Sequence, residues 1–186
     1  MDSPGGHVSG VQETGDLIAA TNKKLKPVTS FAEGNMASAA YWLGVSSGDV
    51  AATSDSTLGS IGVVMVHMDR SKQLENEGIK ATVMRAGKYK ALVNPFEPLT
   101  EEARTELQAQ LDSVYEGFVG HVATSLGKPF NTVDQKMAQG REFIGQRAVD
   151  VGLAHRISTL GKEMSRLDPN YGVDILNQMN KNRRQA

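Results

Sequence analysis

The feature that most constrains this chain is a change of character between residues 26 and 45. Lys26-Pro27-Val28-Thr29-Ser30-Phe31-Ala32 is short, apolar and β-branched, the composition of a buried strand. Glu33-Gly34-Asn35-Met36-Ala37-Ser38 follows, and from Ala39 the small residues let a helix begin at once, carrying Tyr41, Trp42 and Leu43 inward. Ser38 therefore falls on a strand-turn-helix corner. A hydroxyl there lies at the positive end of a helix, beside backbone N–H groups able to stabilise an oxyanion, which suits an acyl-transfer nucleophile. Serine is equally a preferred N-cap residue, so the same position also reads as a helix cap. The corner alone leaves both readings open.

At 186 residues the chain has room for one domain with a real core and not for two comfortable ones. Twenty Lys and Arg against 21 Asp and Glu leave a formal charge of −1, which gives no electrostatic footprint for nucleic acid, and the basic run Lys181-Asn182-Arg183-Arg184 is too short to change that. Without cysteine there is no disulfide framework, thiolate metal site or cysteine nucleophile. His7, His67, His121 and His155 are scattered without metal-ligand spacing, so no zinc and no other cofactor is expected. No apolar run approaches the roughly 20 residues needed to span a bilayer, and the N-terminus lacks a basic-then-apolar signal pattern. A soluble, cytoplasmic chain is the expectation.

Elsewhere strand-like and helix-like segments alternate. Residues 8–24 suit an amphipathic helix, 49–53 a short strand and 54–60 a polar loop. The near-continuous apolar run 61–67 predicts a strand covered on both faces. Residues 71–78 read as a short helix closed by glycine, 80–85 as another strand, and 94–99 as an extended connector stiffened by Pro95 and Pro98. Thr100 with Glu101 and Glu102 opens the longest helix, which ends near Gly127. Ala103, Leu107, Leu111, Val114, Phe118 and Val122 share one of its faces, as core or as a subunit contact. Short helices are expected at 132–137 and 146–151, with an extended segment at 141–144. From Gly161 the composition turns polar, so residues 1–160 are expected to form the domain and 161–186 a polar tail, loosely attached from Asp168. The class is α/β with a largely parallel sheet.

Five blocks, taken in order, resemble the signal peptide peptidase A family of serine proteases and the phage head-maturation proteases related to it. They are Asp2-Ser3-Pro4-Gly5-Gly6, Met36-Ala37-Ser38-Ala39-Ala40-Tyr41, Gly59-Ser60-Ile61-Gly62-Val63, Ala86-Gly87-Lys88-Tyr89-Lys90 and residues 145–154. The resemblance spans residues 2–157. It implies a Clp-protease/crotonase-like spiral of mostly parallel strands with surrounding helices, and a Ser-Lys dyad. Ser38 would be the nucleophile, Lys90 the general base, Ser60 the residue that positions the lysine, and backbone N–H groups of Gly5, Gly6 and Ala39 the oxyanion hole. A lysine base needs its pKa brought down from about 10.4 toward neutrality, which requires shielding from water. Lys88 is the alternative base. Ser60 also reads as a plain turn serine, and His67 raises a rival Ser-His triad, though a strand-end histidine explains it equally well.

The family places two further strands and a helix before the Ser-Pro-Gly-Gly turn, whereas this chain starts at the turn. An N-terminally truncated form with unpaired strand edges, prone to aggregate and poorly active alone, is therefore expected. The resemblance also implies a peptide or protein substrate bound in extended form, a homo-oligomer, and partners among phage capsid or scaffold proteins. The setting would be the cytoplasm or a phage prohead, with membrane association only through an anchor in a missing N-terminus. Two readings stand beside the protease: a non-catalytic scaffold or capsid-interaction protein of the same family, and an acyl-coenzyme A hydratase or isomerase, for which no carboxylate is suitably placed.

Overall fold

The computed structural model describes residues 1–172. They form two compact units, Met1–Gly62 with residues 118–172, and Val63–Gly117. The first unit carries six short strands in two three-stranded sheets. β1 (Ser30–Ala32), β3 (Val50–Ala52) and β6 (Arg156–Ile157) make one, in the order β1-β3-β6 and parallel throughout. β2 (Asn35–Ala37), β4 (Thr57–Gly59) and β5 (Glu142–Ile144) make the other, with β2 and β4 parallel and β4 and β5 antiparallel.

Each pass of the chain thus contributes one strand to each sheet, which is what makes the architecture a spiral. The chain leaves β1 and enters β2 across Glu33-Gly34, where Gly34 adopts φ +103°, and leaves β3 for β4 across residues 53–56. One fully buried hydroxyl ties the two crossings together. Ser56 Oγ donates to Ala32 O at 2.9 Å and accepts from Gly34 N–H at 3.2 Å. A buried polar atom with both functions paired costs little, and here it fixes where each strand breaks. This is the α/β spiral of mostly parallel strands with surrounding helices that the sequence implies.

Helix α1 (Val11–Lys24) packs on α2 (Ala39–Val45). The approach is close because residue 15 is glycine: a Cβ there would lie 2.7 Å from Ser46 Oγ. Tyr41 and Trp42 are buried as expected, Leu43 only half so. The Tyr41 hydroxyl donates to Leu153 O at 2.9 Å, and Trp42 stacks on Phe118 with ring centroids 4.4 Å apart. Phe118, Val119, Val122 and Ala123 bury the C-terminal part of the longest helix, α4 (Glu101–Leu126), which ends at Gly127 with φ +60°. After α5 (Phe130–Thr132) a single π-helical turn, Val133–Met137, leads into β5, and α6 (Gln146–Val151) closes at Gly152.

The polar stretch after residue 160 opens as a helix, α7 (Leu160–Leu167), whose first turn is capped by Thr159. Polarity there does not mean exposure, because Glu163 is 4% exposed. Arg156 donates to both its carboxylate oxygens, at 2.9 and 2.5 Å, and Arg166 Nε donates at 3.0 Å. Both arginines also reach Asp49, so α7 is fastened to the edge of the parallel sheet by ions rather than by apolar burial. Residues 173–186, the remainder of the expected tail with its basic run, lie outside the described residues.

The second unit departs most from the sequence reading. Its short helix α3 (Ser71–Asn76) and glycine stop at Gly78 form as expected, and Thr100 Oγ1 caps α4 by accepting Ala103 N–H at 3.1 Å. The strands expected at 61–67 and 80–85 do not form among the described residues, and Val64 and Met84 are 84% and 91% exposed. Their β-branched sequences are suited to a pleated, covered surface, but a strand exists only against a partner, and neither run has one among the described residues. The connector at 94–99 turns instead of extending, because Asn94 Oδ1 accepts Phe96 N–H at 2.9 Å. Conversely, the polar loop expected at 54–60 contains strand β4, paired on both sides.

Candidate active site

Ser38 stands at the corner between β2 and α2, with φ 53° and ψ −127°. A positive φ is uncommon for a residue with a side chain and costs on the order of 1–3 kcal/mol, so it persists only where the surroundings impose it. They do so from two sides. Ser38 N–H donates to Gly59 O at 2.9 Å, and Trp42 N–H donates to Ser38 O at 3.0 Å to start α2. The side chain does not cap the helix, and among the described residues its hydroxyl has no hydrogen-bond partner. The cap reading is thus set aside: the backbone is bent to present this hydroxyl, as in a strained strand-to-helix elbow.

Over the corner lies the segment Asp2-Ser3-Pro4-Gly5-Gly6. Ser3 bridges Met36 in parallel, on the side of β2 away from β4, with Ser3 N–H to Asn35 O at 2.6 Å and Ala37 N–H to Ser3 O at 3.2 Å. Gly5, at φ +109°, rests directly on the serine: a Cβ there would fall 2.6 Å from Ser38 Cβ and 3.0 Å from Ser38 Oγ. Gly5 N–H donates to Ser3 Oγ at 3.2 Å. Of the three expected oxyanion donors, Gly6 and Ala39 are therefore the two whose N–H groups lack an acceptor among the described residues. Ala39 N–H is left open because it belongs to the first turn of α2.

Ser60 follows Gly59 as Ser38 follows Ala37, and Ala37 and Gly59 are register partners. The two serines thus leave adjacent strand ends together, both at positive φ, 53° and 52°. Ser60 N–H donates to Arg141 O at 2.7 Å, and Gly59 must lack a Cβ because Arg141 O occupies that space at 2.6 Å. Nothing in the sequence points to Arg141 as a neighbour, since a backbone carbonyl carries no residue signature.

Lys88, Lys90 and His67 belong to the second unit. Lys88 pairs with Glu102 at 2.5 Å, and that carboxylate pushes its pKa up, the wrong direction for a base. Lys90 lies exposed on a turn, its N–H on Gly87 O at 3.1 Å, and its ammonium has no ion pair among the described residues. The shielding that a lysine base requires is not provided within that unit. His67 Nε2 is buried without a partner among the described residues, and the carboxylate of Asp69 accepts Ser71 N–H at 2.8 Å. No cluster able to hold a metal ion is found among the described residues.

Fold and corner together define a spiral α/β protein with a strained serine presented at a strand-to-helix elbow beneath a glycine turn. The chain belongs to peptidase family S49, whose profile it matches over residues 20–174. It is 33% identical over 168 residues to the putative protease MJ0651 of Methanocaldococcus jannaschii, covering 90% of this chain and 53% of that one. It is 31% identical over 157 residues to capsid assembly protease C of Escherichia phage lambda, covering 84% of this chain and 35% of that one. The chain thus spans about a third to a half of the length of these relatives. In fold it is similar to a mutant form of the 1510-N membrane-bound stomatin-specific protease, with a TM-score of 0.57 at 10% identity, over 88% of this chain and 65% of that one.

Proposed function

We propose that this chain is the catalytic region of a serine endopeptidase in which Ser38 is the nucleophile and Lys90 the general base. The observation that carries the reading is the backbone of Ser38, held at φ 53° with an unengaged hydroxyl under Gly5. Neutral Lys90 takes the proton from Ser38 Oγ as it attacks the scissile carbonyl. The oxyanion is received by the N–H groups of Gly6 and Ala39. Collapse transfers the proton to the leaving amine, and water, deprotonated in turn by Lys90, hydrolyses the acyl ester and restores the serine. Ser60, leaving the neighbouring strand end at a matching angle, orients the lysine.

Within its own unit Lys90 is exposed, and in this reading its shielding comes from bound substrate or from a second copy in a homo-oligomer. The relatives named capsid assembly protease C and head-tail preconnector protein GP5, the latter 31% identical over 157 residues, favour capsid or scaffold proteins as substrates. That would place the enzyme in the cytoplasm or a prohead, and no described helix is long and apolar enough to cross a membrane. The test is cleavage of a peptide library by the chain and by Ser38→Ala. Cleavage lost in the variant supports the reading. Cleavage retained by the variant overturns it, and a chain that never cleaves but assembles normally as Ser38→Ala is a scaffold.

A further inference from the structure

We infer that Asp2 is a positioning residue, which sets the oxyanion turn over Ser38 by locking its carboxylate into a notch at Gly34. The inference rests on the serine-nucleophile reading for its catalytic consequence, but not for its geometry. Asp2 Oδ1 accepts Asn35 N–H at 2.8 Å, while the next residue, Ser3, donates its own N–H to Asn35 O at 2.6 Å. Residue 35 is thus held at both backbone groups by two successive residues of the turn segment. The carboxylate fits because residue 34 has no side chain: a Cβ on Gly34 would lie 2.5 Å from Asp2 Oδ1 and 2.7 Å from Asp2 Cγ.

Two glycine contacts therefore frame the segment, Gly34 against Asp2 at one end and Gly5 against Ser38 at the other. Between them, Ser3 runs along β2 by a parallel bridge to Met36, and just before Asp2 the segment is also tied through Met1, whose O accepts Glu33 N–H at 3.0 Å and whose N donates to Phe31 O at 2.8 Å. A charge-assisted bond to a backbone N–H is roughly twice as strong as a neutral one and is directional, so the Asp2 contact reinforces, at the residue between Met1 and Ser3, the register that these backbone bonds begin. A slip of one residue would carry Gly5 and Gly6 off Ser38. Asp2 touches neither substrate nor the reacting atoms, and acts through the placement of the Gly6 N–H.

The experiment is backbone amide hydrogen exchange on the 186-residue chain and on Asp2→Ala and Asp2→Asn, with peptide hydrolysis measured on the same preparations and on Ser38→Ala. In Asp2→Ala, exchange at Ser3, Asn35 and Ala37 should quicken by about ten-fold, while amides of the remote α7 stay unchanged. Asp2→Asn keeps an acceptor oxygen and should restore most of that protection. For hydrolysis, kcat should fall by about ten-fold in Asp2→Ala with KM nearly unchanged, and recover in Asp2→Asn. Unchanged exchange at Ser3 and Asn35 overturns the inference, as does a quickening spread evenly over α7, which would mean general loosening. Altered exchange with hydrolysis indifferent to Ser38→Ala keeps the positioning and rejects the nucleophile.

Discussion

Gly5 and Ser38 are in contact with no space for a side chain between them: a Cβ on Gly5 would lie 2.6 Å from that of Ser38. The contact explains a Pro-Gly-Gly turn that otherwise has no evident purpose. It brings the turn's backbone to the serine instead of a side chain, as a site for an oxyanion requires. Gly5→Ala is expected to reduce peptide hydrolysis by about a hundred-fold, because the residue must leave φ +109° and push the turn off the serine. Rate measurements beside an unchanged circular dichroism spectrum check this.

Tyr41 anchors the helix that begins at Ser38. Its hydroxyl is fully buried and donates to Leu153 O. Tyr41→Phe removes the donor and leaves that carbonyl without it, at a cost of about 1–3 kcal/mol in urea unfolding. The ring remains, so cavity formation does not contribute.

The ion cluster on α7 predicts how stability responds to acid. Arginine hydrogen bonds hold Glu163 down to about 2 and Asp49 well below the usual carboxylate range. Both carboxylates are thus ionised more readily when folded than when unfolded. Their contribution is complete above about pH 4.5 and is lost as pH falls toward 2, where the folded state must also take up protons. Arg156→Ala should destabilise the chain by about 2 kcal/mol at pH 7, less than a fully buried pair because Arg156 and Asp49 are each partly exposed. Thermal unfolding from pH 7 to pH 2 should show a flatter acid limb in that variant.

His121 acts in a different window. The Ser46 hydroxyl proton is committed to Trp42 O, so His121 Nε2–H donates to Ser46 Oγ at 2.8 Å, while Asp16 lies 3.8 Å from Nδ1. Burial lowers the histidine pKa against the weaker opposing pull of Asp16. The neutral ring is therefore favoured on folding, and its stabilisation, complete above the ordinary value of 6.5, declines as pH falls below it. His121→Gln should remove the decline that sets in below pH 6.5 without altering the carboxylate loss below about pH 4.5. Unfolding midpoints across both windows separate the two.

What could be read in advance follows from where the information resides. The Ser38 corner is legible in outline only: the alanines after Ser38 begin α2 where expected, but the strand that enters the corner is β2, Asn35–Ala37, in a stretch that reads as turn, and the strand expected at 26–32 is confined to Ser30–Ala32. Helices α2 and α6 fall where the sequence places them, because their local preferences agree with the tertiary arrangement. β4 was not legible, since Thr57-Leu58-Gly59 has no strand pattern and is made a strand by β2 and β5 on either side. The runs at 61–67 and 80–85 show the opposite case, local preference without a pairing partner among the described residues. The fastening of α7 is not legible, because a buried Glu163 looks in sequence like a solvated one. The Asp2–Gly34 notch joins two residues far apart in the chain, and no local pattern marks it.

The proposed chemistry stands on the reactivity of one hydroxyl. The direct measurement is covalent labelling by a fluorophosphonate serine reagent, with the modified residue located by mass spectrometry and the labelling rate followed against pH. A single adduct on Ser38 is expected, absent from Ser38→Ala, formed more slowly in Lys90→Ala but not in Lys88→Ala. Labelling that survives in Ser38→Ala, or a rate indifferent to the loss of Lys90, would contradict it.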